Sequence, residues 1–253
     1  LASNLPDIDV AVFGTSVPSV AFRRGWTHGV LAPAALPVLL ALCVWMWLRR
    51  RPPADGPPVR FGPLLAASYV GVVTHVLMDL LNNYGVRLLM PFDGRWFYGD
   101  VLFIIDPWLW LSLGLGVWLA HRRRTPGPAR MGLALALVYV LAMTVGARAA
   151  RASIVERWAA VAGGPPPAVM VGPLPVTPLS RNIVLDAGDH YETGQFTWQP
   201  RAVRFDVVNT PRNDTDPAVE RARTDPGIQA FLVWSRFPRS EEHTSDSSHG
   251  YIS

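Results

Sequence analysis

Four long apolar stretches fill most of the first 150 residues and restrict what the chain can fold into. A helix needs roughly 20 predominantly apolar residues to cross a bilayer. The stretches that reach or approach this length are Val30–Leu48, Gly62–Leu81, Val101–Ala120 and Met131–Ala147. With 50% hydrophobic and 17% charged residues and a mean hydropathy of +0.21, the chain is too apolar for an ordinary soluble domain. The sequence therefore predicts a mainly α membrane protein with about four transmembrane helices.

The loops between these stretches predict how the protein is oriented. The segments "RRRPPADGPPVR" (49–60) and "HRRRTPGPAR" (121–130) are short and rich in arginine. Because short cytoplasmic loops carry an excess of Lys and Arg, we expect both loops on the cytoplasmic side of a bacterial inner membrane. Residues 1–29, the loop 82–100 and the chain after 148 would then be extracytoplasmic. Arg23, Arg24, Arg148 and Arg151 oppose this orientation.

The composition changes after the fourth stretch. Residues 163–208 alternate short β-prone runs with turn residues, and 216–237 are partly helical in pattern. We predict a transmembrane domain at 1–150 and a small extracytoplasmic α+β domain, mostly β, at 152–238. The segment "RSEEHTSDSSHGYIS" (239–253) resembles translated sequencing adapter or a polar tail, so we predict a non-native or disordered end there.

Ionisable residues collect at the predicted extracytoplasmic ends of the spans. His75 and Asp79 are four residues apart near the end of the second stretch, so they share one helix face. An ionisable side chain within a span costs several kcal/mol unless it has a partner or faces a cavity. Asp7 and Asp9 lie in "NLPDIDV", and His28 lies in "RRGWTHG" just before the first span. The arginine-rich loops alone define the orientation, yet it brings all these residues to one membrane face.

This set of side chains predicts a metal site. Two histidines and several aspartates suit a divalent metal, Zn²⁺ first and Mn²⁺ or Fe as alternatives. The single cysteine, Cys43, lies in an apolar run, which excludes a cysteine-based site and an intrachain disulfide. Such a metal activates water and polarises a phosphoryl or carbonyl oxygen, and Arg24 would hold a phosphate oxygen. The alternatives are an interhelical hydrogen bond for His75 and Asp79, a helix cap for Asp7 and a solvated loop for Asp9.

Four motifs in this order carry a family resemblance: "LASNLPDIDV", "RRGWTHG", "THVLMDLLNNYGVRLLMPF" and "IIDPWLW". Together they resemble the YdjM-like family of bacterial membrane-bound metal-dependent hydrolases, over roughly residues 1–150. The resemblance implies metal-site positions at Asp7, Asp9, His28, His75 and Asp79. It also implies a further N-terminal helix with a Thr-His pair ahead of Leu1, so we expect one or more helices and one histidine ligand to be missing.

The function predicted from these observations is a membrane-embedded metal-dependent hydrolase with its site at the extracytoplasmic face. We assign catalytic roles to Asp9, His75 and Arg24, and expect membrane lipid and a small-molecule or lipid-linked substrate as partners, without nucleic acid. One alternative is a transporter or proton relay through His75, Asp79 and Asp106. Another is a non-catalytic membrane protein whose metal only holds helices together. The ionisable residues stop at one end of the spans, which favours a surface site over a relay.

Overall fold

The structure, a computed structural model, describes residues 1–51, 58–212 and 217–240. Two 3₁₀ segments, Ala2–Asn4 and Pro6–Gly14, lead into five helices. These are α1 (Ser19–Phe22), α2 (Leu31–Arg50), α3 (Phe61–Leu81), α4 (Pro107–Arg123) and α5 (Gly127–Ala162). A sheet and two short helices follow: β1 (Val169–Pro173), β2 (Ser180–Asp186), β3 (His190–Trp198), β4 (Arg201–Phe205), β5 (Thr210–Pro211), α6 (Pro217–Ala222) and α7 (Pro226–Trp234). Of the predicted tail, residues 241–253 lie outside the described residues.

Within the described residues, three helices, α2, α3 and α5, are long and apolar enough to cross a membrane. The predicted span at Val101–Ala120 is not confirmed, because its helix, α4, begins only at Pro107 and has 17 residues. Asp106 caps the N-terminus of α4 by accepting hydrogen bonds from the backbone N–H groups of Trp108 and Leu109, and Pro107 is the first residue of the helix. A helix of that length spans about 25 Å, short of the roughly 30 Å hydrocarbon core.

Helix α5 is much longer than the predicted fourth span, which ended at Ala147. It continues without interruption for 36 residues, about 54 Å at 1.5 Å per residue. Its first half pairs with α4, where Gly116 and Gly132 face each other so closely that a Cβ on Gly116 would lie 3.1 Å from the Cα of Gly132. Such small-residue contacts let membrane helices approach closely.

The second half of α5 supports the sheet. Strands β1 to β4 form an antiparallel meander, and β5 pairs with the first two residues of β3. Along β2 the side chains alternate, so that Arg181, Ile183 and Leu185 are buried while Asn182 between them is exposed. The buried residues of this face pack with Ala150 and Ile154 of α5 into one core. One continuous helix therefore joins the apolar spans to the sheet.

Arg181 of β2 joins the sheet to the helical part of the protein through hydrogen bonds. Its side chain is only 1% exposed and donates hydrogen bonds to the backbone carbonyls of Met143 at 3.0 Å and Asp100 at 2.9 Å. Burial lowers the pKa of this guanidinium, and the nearby Asp100 carboxylate opposes the shift. Because Met143 belongs to α5 and Asp100 to the loop after α3, the sheet is fixed at the end of the bundle where α3 ends and α4 begins.

The C-terminal segment folds back over the same end. Trp234 Nε1 donates to the carbonyl of Tyr84 at 2.8 Å, and the Tyr98 hydroxyl donates to the carbonyl of Trp234. Two hydrogen bonds of 2.7 Å join the Arg236 guanidinium to both oxygens of Asp100. Helix α7 therefore covers the loop 82–100.

Candidate metal centre

One face of α3 provides the base of the candidate site. Gly71, His75 and Asp79 are spaced four residues apart and therefore lie in a row along the helix. A Cβ on Gly71 would lie 2.6 Å from the Cβ of Ala2 and 3.0 Å from the backbone nitrogen of Ser3, so the absent side chain lets the N-terminal 3₁₀ turn lie against α3. With the turn in this position, Asp7 lies close to the side chain of His75.

Four side chains converge at this position: Asp7, His28, His75 and Asp79. Each offers one ligand atom, and the four atoms lie within 4.8 Å of one another. The Nε2 atom of His28 is 3.1 Å from Asp79 Oδ2 and 3.3 Å from His75 Nε2. The Nε2 atom of His75 is 3.6 Å from both Asp79 Oδ2 and Asp7 Oδ1.

The donor set fits a divalent metal. Ligand bonds of about 2.0–2.2 Å to Zn²⁺ place ligand atoms roughly 3–4 Å apart, and the distances around His28, His75 and Asp79 fall in that interval. Asp79 Oδ2 is buried and, among the described residues, accepts no hydrogen bond of good geometry despite its short distance to His28. An unsatisfied carboxylate oxygen facing two imidazole nitrogens is costly unless a cation completes it.

Asp9 lies beside this group and not in it. Its side chain is fully buried, accepts a hydrogen bond from the backbone N–H of Arg24 at 2.8 Å and receives Arg23 Nε at 3.4 Å. Its Oδ2 also accepts from Thr27 Oγ1 at 3.0 Å, and that hydroxyl lies 2.9 Å from Nδ1 of His28. The geometry thus favours a position behind a ligand over direct ligation by Asp9.

This chain of contacts assigns the protonation of His28. An ionised Asp9 can only accept, so the Thr27 hydroxyl donates its one hydrogen to Asp9. In a neutral His28 the hydroxyl lone pair accepts from Nδ1–H, and Nε2, which is directed at His75 and Asp79, is then the unprotonated nitrogen. Carboxylates commonly orient metal-binding histidines from such a position.

Arg24 lies on the other side of Asp79. Its guanidinium nitrogens are 3.3 Å from Asp79 Oδ1 and 3.4 Å from Asn82 Oδ1 and the carbonyl of Gly85, all long contacts. The same side chain lines an outer cavity of about 170 Å³ with Ser19, Val20, Arg23, Tyr84, Trp96 and Trp234. Arg24 therefore lies between the His/Asp group and this outer cavity, which Trp234 at the end of α7 also lines.

Other acidic residues near this end have structural partners. Asp100 is paired with Arg236, and Asp106 caps α4 and accepts a hydrogen bond from the Tyr139 hydroxyl at 2.9 Å. At the start of β3, His190 Nδ1 lies 2.6 Å from Oδ1 of Asp189 in the preceding turn, and this hydrogen bond lowers the pKa of Asp189. Asp100, Asp106, Asp189 and His190 therefore lie outside the group of four ligand atoms at the candidate centre.

A sequence model of the YdjM inner membrane protein family matches residues 1–150. The chain belongs to this family. The stretch matched contains all four residues of the His/Asp group, Asp9 and Arg24, so the predicted resemblance is confirmed. Membership in an inner membrane family and three apolar helices together make this a membrane protein.

A relative from Bacillus subtilis (strain 168), the uncharacterized protein YfhP, is 27% identical over 108 residues. The match covers 42% of this chain and 31% of YfhP, so the chain spans less than a third of that relative. No solved structure matches the chain.

The sequence indicated most of the YdjM-family centre but not all of it. It singled out Asp7, His28, His75 and Asp79, which the structure brings together. It missed Thr27 and Asn82, whose contacts orient His28 and hold Asp79. Thr27 precedes His28 directly and Asn82 follows Asp79 by three residues, so proximity to a candidate ligand was the available signal.

Proposed function

We propose that this YdjM-family protein is a metal-dependent hydrolase of phosphoesters, with its site at the extracytoplasmic face of the inner membrane. The observation that carries the proposal is the convergence of four ligand atoms next to a guanidinium that borders a cavity. A bound divalent metal would supply Lewis-acid chemistry, polarising a phosphoryl oxygen and activating water. Asp7, His28, His75 and Asp79 would hold it.

The neighbouring residues would bind and orient the substrate. Among the described residues, the guanidinium N–H donors of Arg24 make only long contacts, so a phosphate oxygen can replace them with shorter charge-assisted bonds. Asp9 would act through Thr27 by keeping His28 in the tautomer that ligates. In the reaction, the water oxygen bonds to phosphorus, the P–O bond to the alcohol breaks, and the proton that the water loses ends on the released alkoxide.

The arginine distribution supports the proposed extracytoplasmic location. Arg49, Arg50, Arg122 and Arg123 lie in the last turns of α2 and α4, at the end of the bundle opposite the candidate centre. Under the positive-inside rule we expect that end in the cytoplasm, and the centre, the sheet and α7 would then lie outside.

A relay through the membrane fits this distribution less well. Residues 61–74 of α3 and 31–48 of α2 contain no Asp, Glu, Lys, Arg or His. The titratable groups of the centre are therefore confined to the last two turns of α3 and the segments beside them. A proton or ion path needs polar groups over the whole thickness of the bilayer.

The proposal is tested with purified protein in detergent. The protein is loaded separately with Zn²⁺, Mn²⁺ and Fe²⁺, its metal content is measured by elemental analysis, and hydrolysis of p-nitrophenyl phosphate and bis-p-nitrophenyl phosphate is followed. We expect about one equivalent or more of metal and metal-dependent hydrolysis. His75→Ala should lose both, while His121→Ala, at the far end of α4, should keep both. Metal-loaded protein that hydrolyses no phosphoester, phospholipids included, would contradict the proposal.

A further inference from the structure

A groove between α3 and α4 leads from the lipid-facing surface to the candidate centre. Its volume is about 630 Å³, within the range that accommodates a drug-sized ligand. Asp79 and Asn82 line it together with Met78, Leu102, Phe103, Ile104, Asp106, Leu109, Trp110, Leu113, Gly114, Val117 and Trp118. Apart from three polar residues near the ends of α3 and α4, the walls are apolar.

The length of the groove along α4 matches the hydrocarbon thickness of one leaflet of the bilayer. Its α4 wall runs from Leu109 to Trp118, ten residues that span about 14 Å along the helix. Half of a bilayer hydrocarbon core is about 15 Å thick. Trp110 and Val117 are 70% and 62% exposed, so the groove opens sideways where hydrocarbon is the solvent.

The polar end of the groove matches a phosphate. Asp79 belongs to the proposed metal ligands, and Asn82 contacts both Asp79 and Arg24. A lipid phosphate at this end would meet the metal and the Arg24 guanidinium, while its acyl chain would follow α4 into the leaflet. The other access, under α7, is the outer cavity of about 170 Å³, which is much smaller.

We infer that the substrate is a phospholipid that enters sideways from the bilayer, with one acyl chain in the α3–α4 groove and its phosphate at Asp79 and Arg24. This inference rests on the proposed function for the chemistry, but binding of the chain can be measured without turnover. A second copy of this chain or annular lipid could cover the groove instead, and the experiment separates these occupants.

Gly114 offers a specific way to block the groove. A Cβ at this position meets no atom within 4 Å, so a large side chain can enter the groove without displacing backbone. Leu115 is the matched control, because it is the next residue of α4, is 49% exposed and does not line the groove. The variants are Gly114→Phe and Leu115→Phe.

The binding experiment uses vesicles containing a few per cent of a phosphatidylglycerol with a diazirine in one acyl chain. After photolysis, adducts are mapped by mass spectrometry. We expect adducts concentrated on Met78, Leu113 and Val117, reduced at least fivefold by Gly114→Phe and unchanged by Leu115→Phe. Equal labelling of Leu111 and Leu115, on other faces of α4, would indicate annular lipid, and absence of label in the groove would indicate a protein occupant. Either result overturns the inference.

The turnover experiment separates this inference from the proposed function. Gly114→Phe should lower hydrolysis of phosphatidylglycerol at least tenfold while leaving hydrolysis of p-nitrophenyl phosphate unchanged. Equal loss of both activities, or of neither, contradicts the groove as the substrate path. If the wild-type protein hydrolyses neither compound, the proposed function fails, and the labelling pattern still decides whether a phospholipid occupies the groove.

Discussion

The Asp9 carboxylate and the Nδ1 atom of His28 are joined through a single hydroxyl, that of Thr27, at 3.0 and 2.9 Å. The hydroxyl has one hydrogen, and an ionised carboxylate can only accept it. A neutral His28 then donates from Nδ1 and has Nε2 free for a cation. Asp9, expected from sequence to ligate, lies in this geometry behind His28 and outside the group of four converging ligand atoms.

The first prediction follows from this linkage. Asp9→Asn and Thr27→Val should each weaken Zn²⁺ binding by about 10–100-fold, the usual effect of removing a group that orients a ligand. The double variant should bind Zn²⁺ about as tightly as the single variant with the lower affinity, because both changes break the same chain of contacts. Isothermal titration of metal-free protein measures this. A loss for Asp9→Asn as large as that for His28→Ala would identify Asp9 as a direct ligand.

The second prediction concerns the row of residues on α3. Gly71→Ala should push the N-terminal turn away, since the new Cβ would lie 2.6 Å from Ala2 and 3.0 Å from backbone. We expect Asp7 to move and Zn²⁺ affinity to fall by roughly tenfold, as for loss of a supporting contact. In Gly62→Ala, where the Cβ meets nothing within 4 Å, affinity should stay the same. Unchanged affinity in Gly71→Ala would show that Asp7 does not depend on this contact.

The third prediction distinguishes substrate binding from metal binding. Arg24→Gln removes a positive charge 3.3 Å from Asp79, so binding of a dication should not weaken. Turnover should fall by about 10²–10³, because a charge-assisted bond to the developing phosphoryl charge is lost. Elemental analysis and hydrolysis rates are measured on the same preparation. A metal that only holds helices together predicts no functional difference between Arg24→Gln and wild type.

The fourth prediction concerns the buried guanidinium of Arg181. Arg181→Met would leave the carbonyls of Met143 and Asp100 without these donors, at a cost of roughly 3 kcal/mol. The melting temperature in detergent should fall by about 6–12 °C. Arg204→Ala, at an exposed position of β4, should melt like wild type. A shift of less than about 2 °C for Arg181→Met would mean that other contacts hold the sheet to the bundle.

The fifth prediction tests orientation. Alkaline phosphatase, which is active only outside the cytoplasm, should be inactive when fused after Arg51 or Arg124 and active when fused after Gly164. The arginines at the ends of α2 and α4 provide the physical reason. The reverse pattern would move the candidate centre to the cytoplasmic face but leave its geometry unchanged.

The apolar stretches and the spacing of His75 and Asp79 were readable from sequence because each depends on local periodicity. The helix ends were harder. Val101–Ile105 is as apolar as a span, but the Asp106 cap and Pro107 begin the helix later. The length of α5 was missed because the apolar run ends before Arg148, while the helix continues to Ala162 with Ala150 and Ile154 packed against the sheet.

Within the site, residue type predicted which groups meet but not their separate roles. Asp7 and Asp9 have equal ligand chemistry, and an extended chain would direct both the same way. In the structure they lie in a 3₁₀ segment, where a spacing of two turns their side chains in different directions. Only three-dimensional contacts, such as those of Thr27 with Asp9 and His28, separate a ligand from a residue that orients one.

The contacts of α7 have a consequence for the order of biogenesis. Trp234 and Arg236 come after α2 to α5 in the chain, yet they bind Tyr84, Tyr98 and Asp100 beside the centre. The outer cavity therefore acquires its Trp234 wall only after α5 and the sheet have been synthesised and have reached the same side of the membrane. A chain that ends before α7 would have the His/Asp residues without this wall, so the site is complete only once the C-terminal segment has folded back.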